Sequence, residues 1–197
     1  MTGWLVVVAV VVLAGGAAAV AGYRALVTGA LTVDTGWGRR VRPLGPLAVP
    51  IAAPRQQVYD LLTQPYLGRA SRALQEKVQV LERGSDMVLA AHRTPAGRRL
   101  TAVTVETVRF TPPERIDFRL LRGPVPHVTE YFHLVEESGG TTRVEYRGEL
   151  GTDGWAVGAW WGRLVARAWE AAVRSSLAAV KAEAERQPAS RRPPATS

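Results

Sequence analysis

The sequence predicts an α+β domain in which a curved antiparallel sheet of about seven strands grips one long C-terminal helix, with a single transmembrane helix ahead of it. Three observations carry this. Residues 2–23 hold no charged side chain. Six strand-like runs follow one another between residues 77 and 150, separated by short turns. From Trp155 to Arg186, apolar residues recur at a helical period of about 3.6.

The N-terminal run reads TGWLVVVAVVVLAGGAAAVAGY. As a helix it extends roughly 33 Å, enough for a hydrocarbon core of about 30 Å. Trp4 and Tyr23 sit near its ends, where amphipathic rings favour the interface. A cleaved signal peptide is the rival reading, because Ala19-Val20-Ala21 forms an A-x-A site. The absence of Lys or Arg ahead of the run favours a retained anchor over residues 1–27. Arg24, Arg39, Arg40 and Arg42 all follow it and are the expected membrane-proximal cations. The positive-inside rule then places the C-terminal domain in the cytoplasm, beside membrane lipid. Residues 28–46 read as a basic, Gly- and Pro-rich tether.

The chain of 197 residues has no Cys, which excludes disulfides, thiolate metal sites and Cys nucleophiles. Its net charge of +8 rests mostly on dispersed Arg without a nucleic-acid motif, so nucleic acid is not an expected partner.

Residues 47–186 form the expected domain. Leu47–Ala52 is a short strand, and Pro54 opens a helix with Val58, Leu61 and Leu62 on its apolar face. Pro65 ends that helix and starts a second short one through Leu74. Strands follow at Lys77–Glu82, Met87–Arg93, Arg99–Phe110, Arg115–Leu121, Val128–Glu136 and Arg143–Leu150. The last two flank Ser138-Gly139-Gly140, a hairpin signal. The final helix carries Trp161, Val165, Trp169, Val173 and Leu177 on one face and Arg163, Arg167, Glu170 and Arg174 on another. Gln187–Ser197 is a Pro-rich tail expected to be disordered.

Four stretches resemble the SRPBCC superfamily, also called START-like or polyketide cyclase/dehydrase-like, with its helix-grip fold. They are VPIAAPRQQVYDLLTQP from Val49, TPPERIDF from Thr111, EYFHLVEESGGTTRVEYRGEL from Glu130, and the helix from Trp160. The resemblance implies a central apolar cavity for lipids or other hydrophobic small molecules, usually without metal or cofactor, and in a minority of members a cyclase, aromatase or hydrolase activity. Fold does not decide among these.

Leu62, Met87, Thr104, Glu106, Phe118, Glu130, Phe132, Tyr146, Trp161, Val165 and Trp169 are the cavity candidates. By strand parity Glu130 shares a face with Phe132 and Leu134, and Glu106 with Thr104 and Val108. An inward carboxylate there would have a raised pKa and orient a polar group or act as a base. A strand-end Glu in solvent is the competing reading. Trp160 and Trp161 point about 100° apart, so only one can face the sheet. His127 and His133 lie about 20 Å apart along a strand, too far to share a metal. The solvated sheet face is expected to carry a ladder of Arg109, Arg119, Arg143 and Arg147 with Glu145 and Glu149. No coupled pair of titratable groups stands at a readable spacing, which favours a membrane-tethered binding or carrier domain over a cyclase-type enzyme. A scaffold with a filled core is a third reading.

Overall fold

The computed structural model describes residues 2–68, 76–96 and 100–187, with side chains from residue 11 onward. The elements are α1 (Thr2–Val27), β1 (Arg40–Ile51), α2 (Arg55–Thr63), β2 (Val78–Arg83), β3 (Met87–Pro95), β4 (Thr101–Thr111), β5 (Arg115–Arg122), β6 (His127–Glu137), β7 (Thr141–Thr152) and α3 (Trp155–Arg186). The seven strands form one sheet in the order β1-β7-β6-β5-β4-β3-β2, with every pair antiparallel. Strands β2 to β7 are a meander in which each run pairs with the next. β1 closes beside the last strand. All six strands expected after residue 77 are present. The second short helix expected through Leu74 and the tail beyond Gln187 lie outside the described residues.

Period-2 alternation decides which face is buried. Val128, Glu130, Phe132 and Leu134 of β6 point inward, as do Ile116, Phe118 and Leu120 of β5 and Val144, Tyr146 and Leu150 of β7. α3 covers this face with Val165, Ala166, Val173, Leu177 and Ala184, and α2 adds Val58 and Tyr59.

One boundary differs from the sequence reading. β1 begins at Arg40, so residues 40–46 belong to the sheet and not to a tether. The two prolines that obscured its first half, Pro43 and Pro46, are tolerated, like Pro50, because β1 is an edge strand.

The preceding segment is docked as well. The Thr32 hydroxyl donates to the Gly123 carbonyl at 2.7 Å, and the Val103 amide donates to the Thr28 carbonyl. Asp153 is the main clamp. Its Oδ2 accepts the Thr35 and Gly36 amides, each at 2.7 Å, and its Oδ1 accepts the Arg39 Nε at 2.7 Å. The side chain is 1% exposed. The Arg39 hydrogen bond chiefly, with the two amides, holds its carboxyl at about 2. Trp37 and Gly38 carbonyls accept the Gly154 and Trp155 amides at the start of α3. Gly38 has φ +59, and a Cβ there would meet the Trp155 indole at 2.4 Å, so both backbone and space require glycine.

α1 is continuous from Thr2 to Val27, and every side chain from Val11 to Ala21 is exposed. Among the described residues, whose side chains begin at Val11, no helix is long and apolar enough to cross a membrane, so the expected transmembrane span is not found there. At its C-terminal end the Tyr23 ring meets Trp161 edge-on at 6.2 Å.

Two outcomes follow. Leu177 is fully buried, so Leu177→Ala should cost about 2–5 kcal/mol in urea unfolding. Asp153→Asn should cost about 1–3 kcal/mol at pH 7 and expose residues 30–39 to hydrogen exchange. Because the folded pKa is depressed, the wild-type advantage is full above about pH 4 and shrinks as pH falls toward 2, which unfolding series at several pH values will check.

Candidate functional site

β6 turns Glu130 into the space between sheet and α3. Its Oε2 accepts two hydrogen bonds of 2.6 Å, from the Tyr146 hydroxyl on β7 and from the Trp169 indole N–H on α3. Gly148 lies directly across from Glu130, and a Cβ there would stand 2.6 Å from the Glu130 Cβ. A second carboxylate, Glu106 on β4, is also buried. The Thr104 hydroxyl donates to its Oε1 at 2.6 Å, and the His92 Nδ1 of β3 lies 3.2 Å from its Oε2. The other His92 nitrogen stands 3.0 Å from the Tyr66 hydroxyl. Aromatic rings join the two carboxylate sets. Tyr66 meets Phe118 at 6.2 Å, Phe118 meets Phe132 at 5.6 Å, and Phe132 meets Tyr146 at 5.5 Å. The site is therefore a polar line inside an apolar, aromatic shell.

Burial, then the neighbouring Glu106 charge, pushes the Glu130 carboxyl up to about 7, against the opposing pull of Tyr146, Trp169 and His92. Burial alone would lower the His92 imidazolium, but the charge and hydrogen bond of Glu106 outweigh it and hold it above its usual value. Burial likewise raises the Tyr66 and Tyr146 phenols, with the carboxylates adding to the effect. Near neutral pH, Glu130 can therefore release or accept a proton, and both phenols stay protonated donors. Among the described residues no group of three His, Asp or Glu side chains is arranged to hold a metal ion.

Of the sequence candidates, Thr104, Glu106, Phe118, Glu130, Phe132, Tyr146 and Trp169 converge here. Glu130 is buried, which removes the solvent reading. Val165 is buried on α3, and Leu62 is half-buried on α2 against the core. Trp161 is the inward member of its pair, while Trp160 is exposed, but Trp161 serves the domain end near α1, donating to the Pro124 carbonyl at 2.8 Å. Met87 is a correction. β3 buries Val88 and Ala90, so Met87 points to the opposite face, across from exposed Arg109. Among the expected membrane-proximal cations, Arg39 is committed to Asp153 and Asp34. His127 and His133 sit on the outer face beside Glu149 and Glu145. That face also carries Arg143 between Glu137 and Glu145.

The sequence reading missed Tyr66 and His92, and with them the coupling of Glu106 to Glu130. His92 has the parity of Val88 and Ala90, but the run MVLAAHR is apolar at both parities, so alternation gives no face. Tyr66 lies in a turn after Pro65, where no periodicity applies.

Residues 47–185 match the family described as polyketide cyclase / dehydrase and lipid transport, and the chain belongs to that family. Solved structures share the fold. The ZhuI aromatase/cyclase from Streptomyces sp. R1128 is 19% identical with a TM-score of 0.59, over 75% of this chain and 94% of that one. The di-domain aromatase/cyclase BexL from the BE-7585A biosynthetic pathway is 22% identical with a TM-score of 0.59, over 77% of this chain and 52% of that one. Norcoclaurine synthase from Thalictrum flavum, solved with dopamine and hydroxybenzaldehyde, is 11% identical with a TM-score of 0.53, over 74% of this chain and 85% of that one. No curated protein sequence matches the chain.

The raised Glu130 pKa sets a pH signature. The folded state disfavours the ionised form, so a stability penalty grows from about pH 4.5 to about pH 7 and is constant above. Glu130→Gln resembles the protonated acid and lacks the penalty. It should match the wild type at pH 4.5 and exceed it at pH 8 by up to about 3 kcal/mol in urea unfolding.

Proposed function

We propose that this chain binds a hydrophobic small molecule or lipid between the sheet and α3, and does so beside a membrane to which α1 anchors it, with the domain cytoplasmic. The observation that carries the binding reading is Glu130, a buried acid bonded by Tyr146 and Trp169 within an aromatic shell. A core evolved for stability alone gains more from an apolar residue at such a position. A convergent polar group in an apolar interior is the pattern of a ligand site. Membership of a family described by polyketide cyclisation and lipid transport supports the same reading.

The full chain, purified in detergent and examined by native mass spectrometry after incubation with a membrane lipid extract, should retain a hydrophobic ligand. Trp169→Phe removes one Glu130 partner and should weaken uptake roughly 10-fold, the equivalent of one lost hydrogen bond. Recovery of no ligand, with no saturable uptake of fluorescent lipids, overturns the proposal.

A second reading, an acid–base enzyme of the cyclase or aromatase type, draws on a different observation. The Tyr66–His92–Glu106 chain stands beside a carboxyl that titrates near neutrality. In that case Glu130→Gln abolishes turnover of a polyketide-like substrate while leaving circular dichroism unchanged.

The membrane topology has its own test. The native chain has no Cys, so Ser176→Cys, at an exposed site on α3, supplies a single label position. In intact cells an impermeant maleimide should fail to label it, and labelling should appear after lysis. Labelling of intact cells, or a mature N-terminus near Gly22, overturns the anchor and its direction.

A further inference from the structure

The end of the sheet from which α1 leaves carries a concavity, separate from the buried carboxylates. It has a volume of about 220 Å3 and is walled by Arg40 and Arg42 of β1, Thr152 at the end of β7, and Gly162 and Arg163 of α3. Gly162 lets the helix approach this closely, since a Cβ there would lie 3.1 Å from the Thr152 hydroxyl. Among the described residues the lining holds three arginines and no carboxylate. None of the three makes an ion pair among the described residues, and Asp153, the acid next to Thr152, is committed to Arg39. The Arg42 Nε is buried without a hydrogen-bond partner. Gathering three cations while leaving a buried donor unused is unfavourable unless an anion occupies the space between them.

The surroundings indicate which anion. Val157, Trp160 and Leu164 follow one another at spacings of three and four on α3 and form one outward stripe, with Val157 77% and Trp160 54% exposed. Val41, in the wall of the concavity, is also exposed. Tyr23 at the end of α1 rests on Trp161, one residue from Trp160. An exposed aromatic and aliphatic stripe flanked by arginines is the arrangement that seats a surface in the headgroup layer of a bilayer. A guanidinium cluster suits a phosphate through paired N–H donors. We infer that the Arg40–Arg42–Arg163 concavity takes the phosphate of an anionic phospholipid headgroup, while Val157, Trp160 and Leu164 enter the interfacial layer beside it. This rests on α1 as a membrane anchor.

The test uses the full chain in nonionic detergent, titrated with dihexanoyl phosphatidylglycerol, dihexanoyl phosphatidylcholine and inorganic phosphate, and read by tryptophan fluorescence. Phosphatidylglycerol should bind at least 10-fold more tightly than phosphatidylcholine, and added salt should weaken it. Arg40→Gln with Arg163→Gln, both exposed positions, should cut that affinity at least 10-fold without changing the urea midpoint. Arg42→Gln should do the same where it folds. Equal binding of inorganic phosphate and phosphatidylglycerol overturns the lipid assignment in favour of a free-phosphate site. No preference for the anionic lipid, or a preference untouched by the arginine variants, overturns the site itself. The Ser176→Cys labelling reports on the anchor independently, so loss of this site and loss of the anchor are told apart.

Discussion

The Glu130 carboxylate holds the two layers of this domain in one relation. Its Oε2 accepts from Tyr146 in the sheet and from Trp169 in the helix, so a single oxygen ties β6, β7 and α3 together. Apolar contacts alone fix the distance between a helix and a sheet but leave rotation about the helix axis loosely specified. The indole N–H specifies it, because a buried donor must find its acceptor. With α3 turned to deliver Trp169, Val165, Val173 and Leu177 fall on the sheet, and Arg163, Arg167 and Arg174 fall outside. Gly148 completes the arrangement by leaving space across from the carboxylate that any side chain would claim.

The same oxygen makes the interior electrostatically uneven. Glu106 is close enough to raise Glu130, and His92 partly offsets both charges. Its two carboxylates cannot both be comfortably ionised without a proton or a cation nearby. The ring chain from Tyr66 through Phe118 and Phe132 to Tyr146 surrounds this charge with polarisable, water-excluding surface. The domain thus separates its charges. Acidic groups lie within the layers, Arg143 stands between Glu137 and Glu145 on the outer sheet face, and unpaired arginines collect at the end where α1 departs.

Much of this was legible in the sequence, and what was not has identifiable causes. The strands β2 to β7 announce themselves through alternation and Gly-containing turns, and α3 through its period. The inward placement of Glu130 and Glu106 follows from parity with Phe132 and Val108. β1 was legible only from Leu47 onward, because Pro43 and Pro46 look like a linker until the strand is known to lie at an edge. The pairing of Glu106 with Glu130 was invisible because β5 intervenes and no sequence interval encodes a contact across it. His92 was hidden by alanine at the alternate parity, and Met87 was placed inward for the same lack of contrast.

Asp153 gives the segment after α1 a mechanical character. A free linker of that length would let the domain tumble and wander over a wide radius. Five bonds to Asp153, two between Thr32 and Gly123, and the Trp37 and Gly38 carbonyls at the foot of α3 convert it into a bracket. In the proposed membrane setting, each part of the domain then keeps its own height above the bilayer. There the end bearing Trp160 would stay lowest and the Ser138–Gly140 hairpin highest, so the domain would meet the bilayer in one fixed attitude.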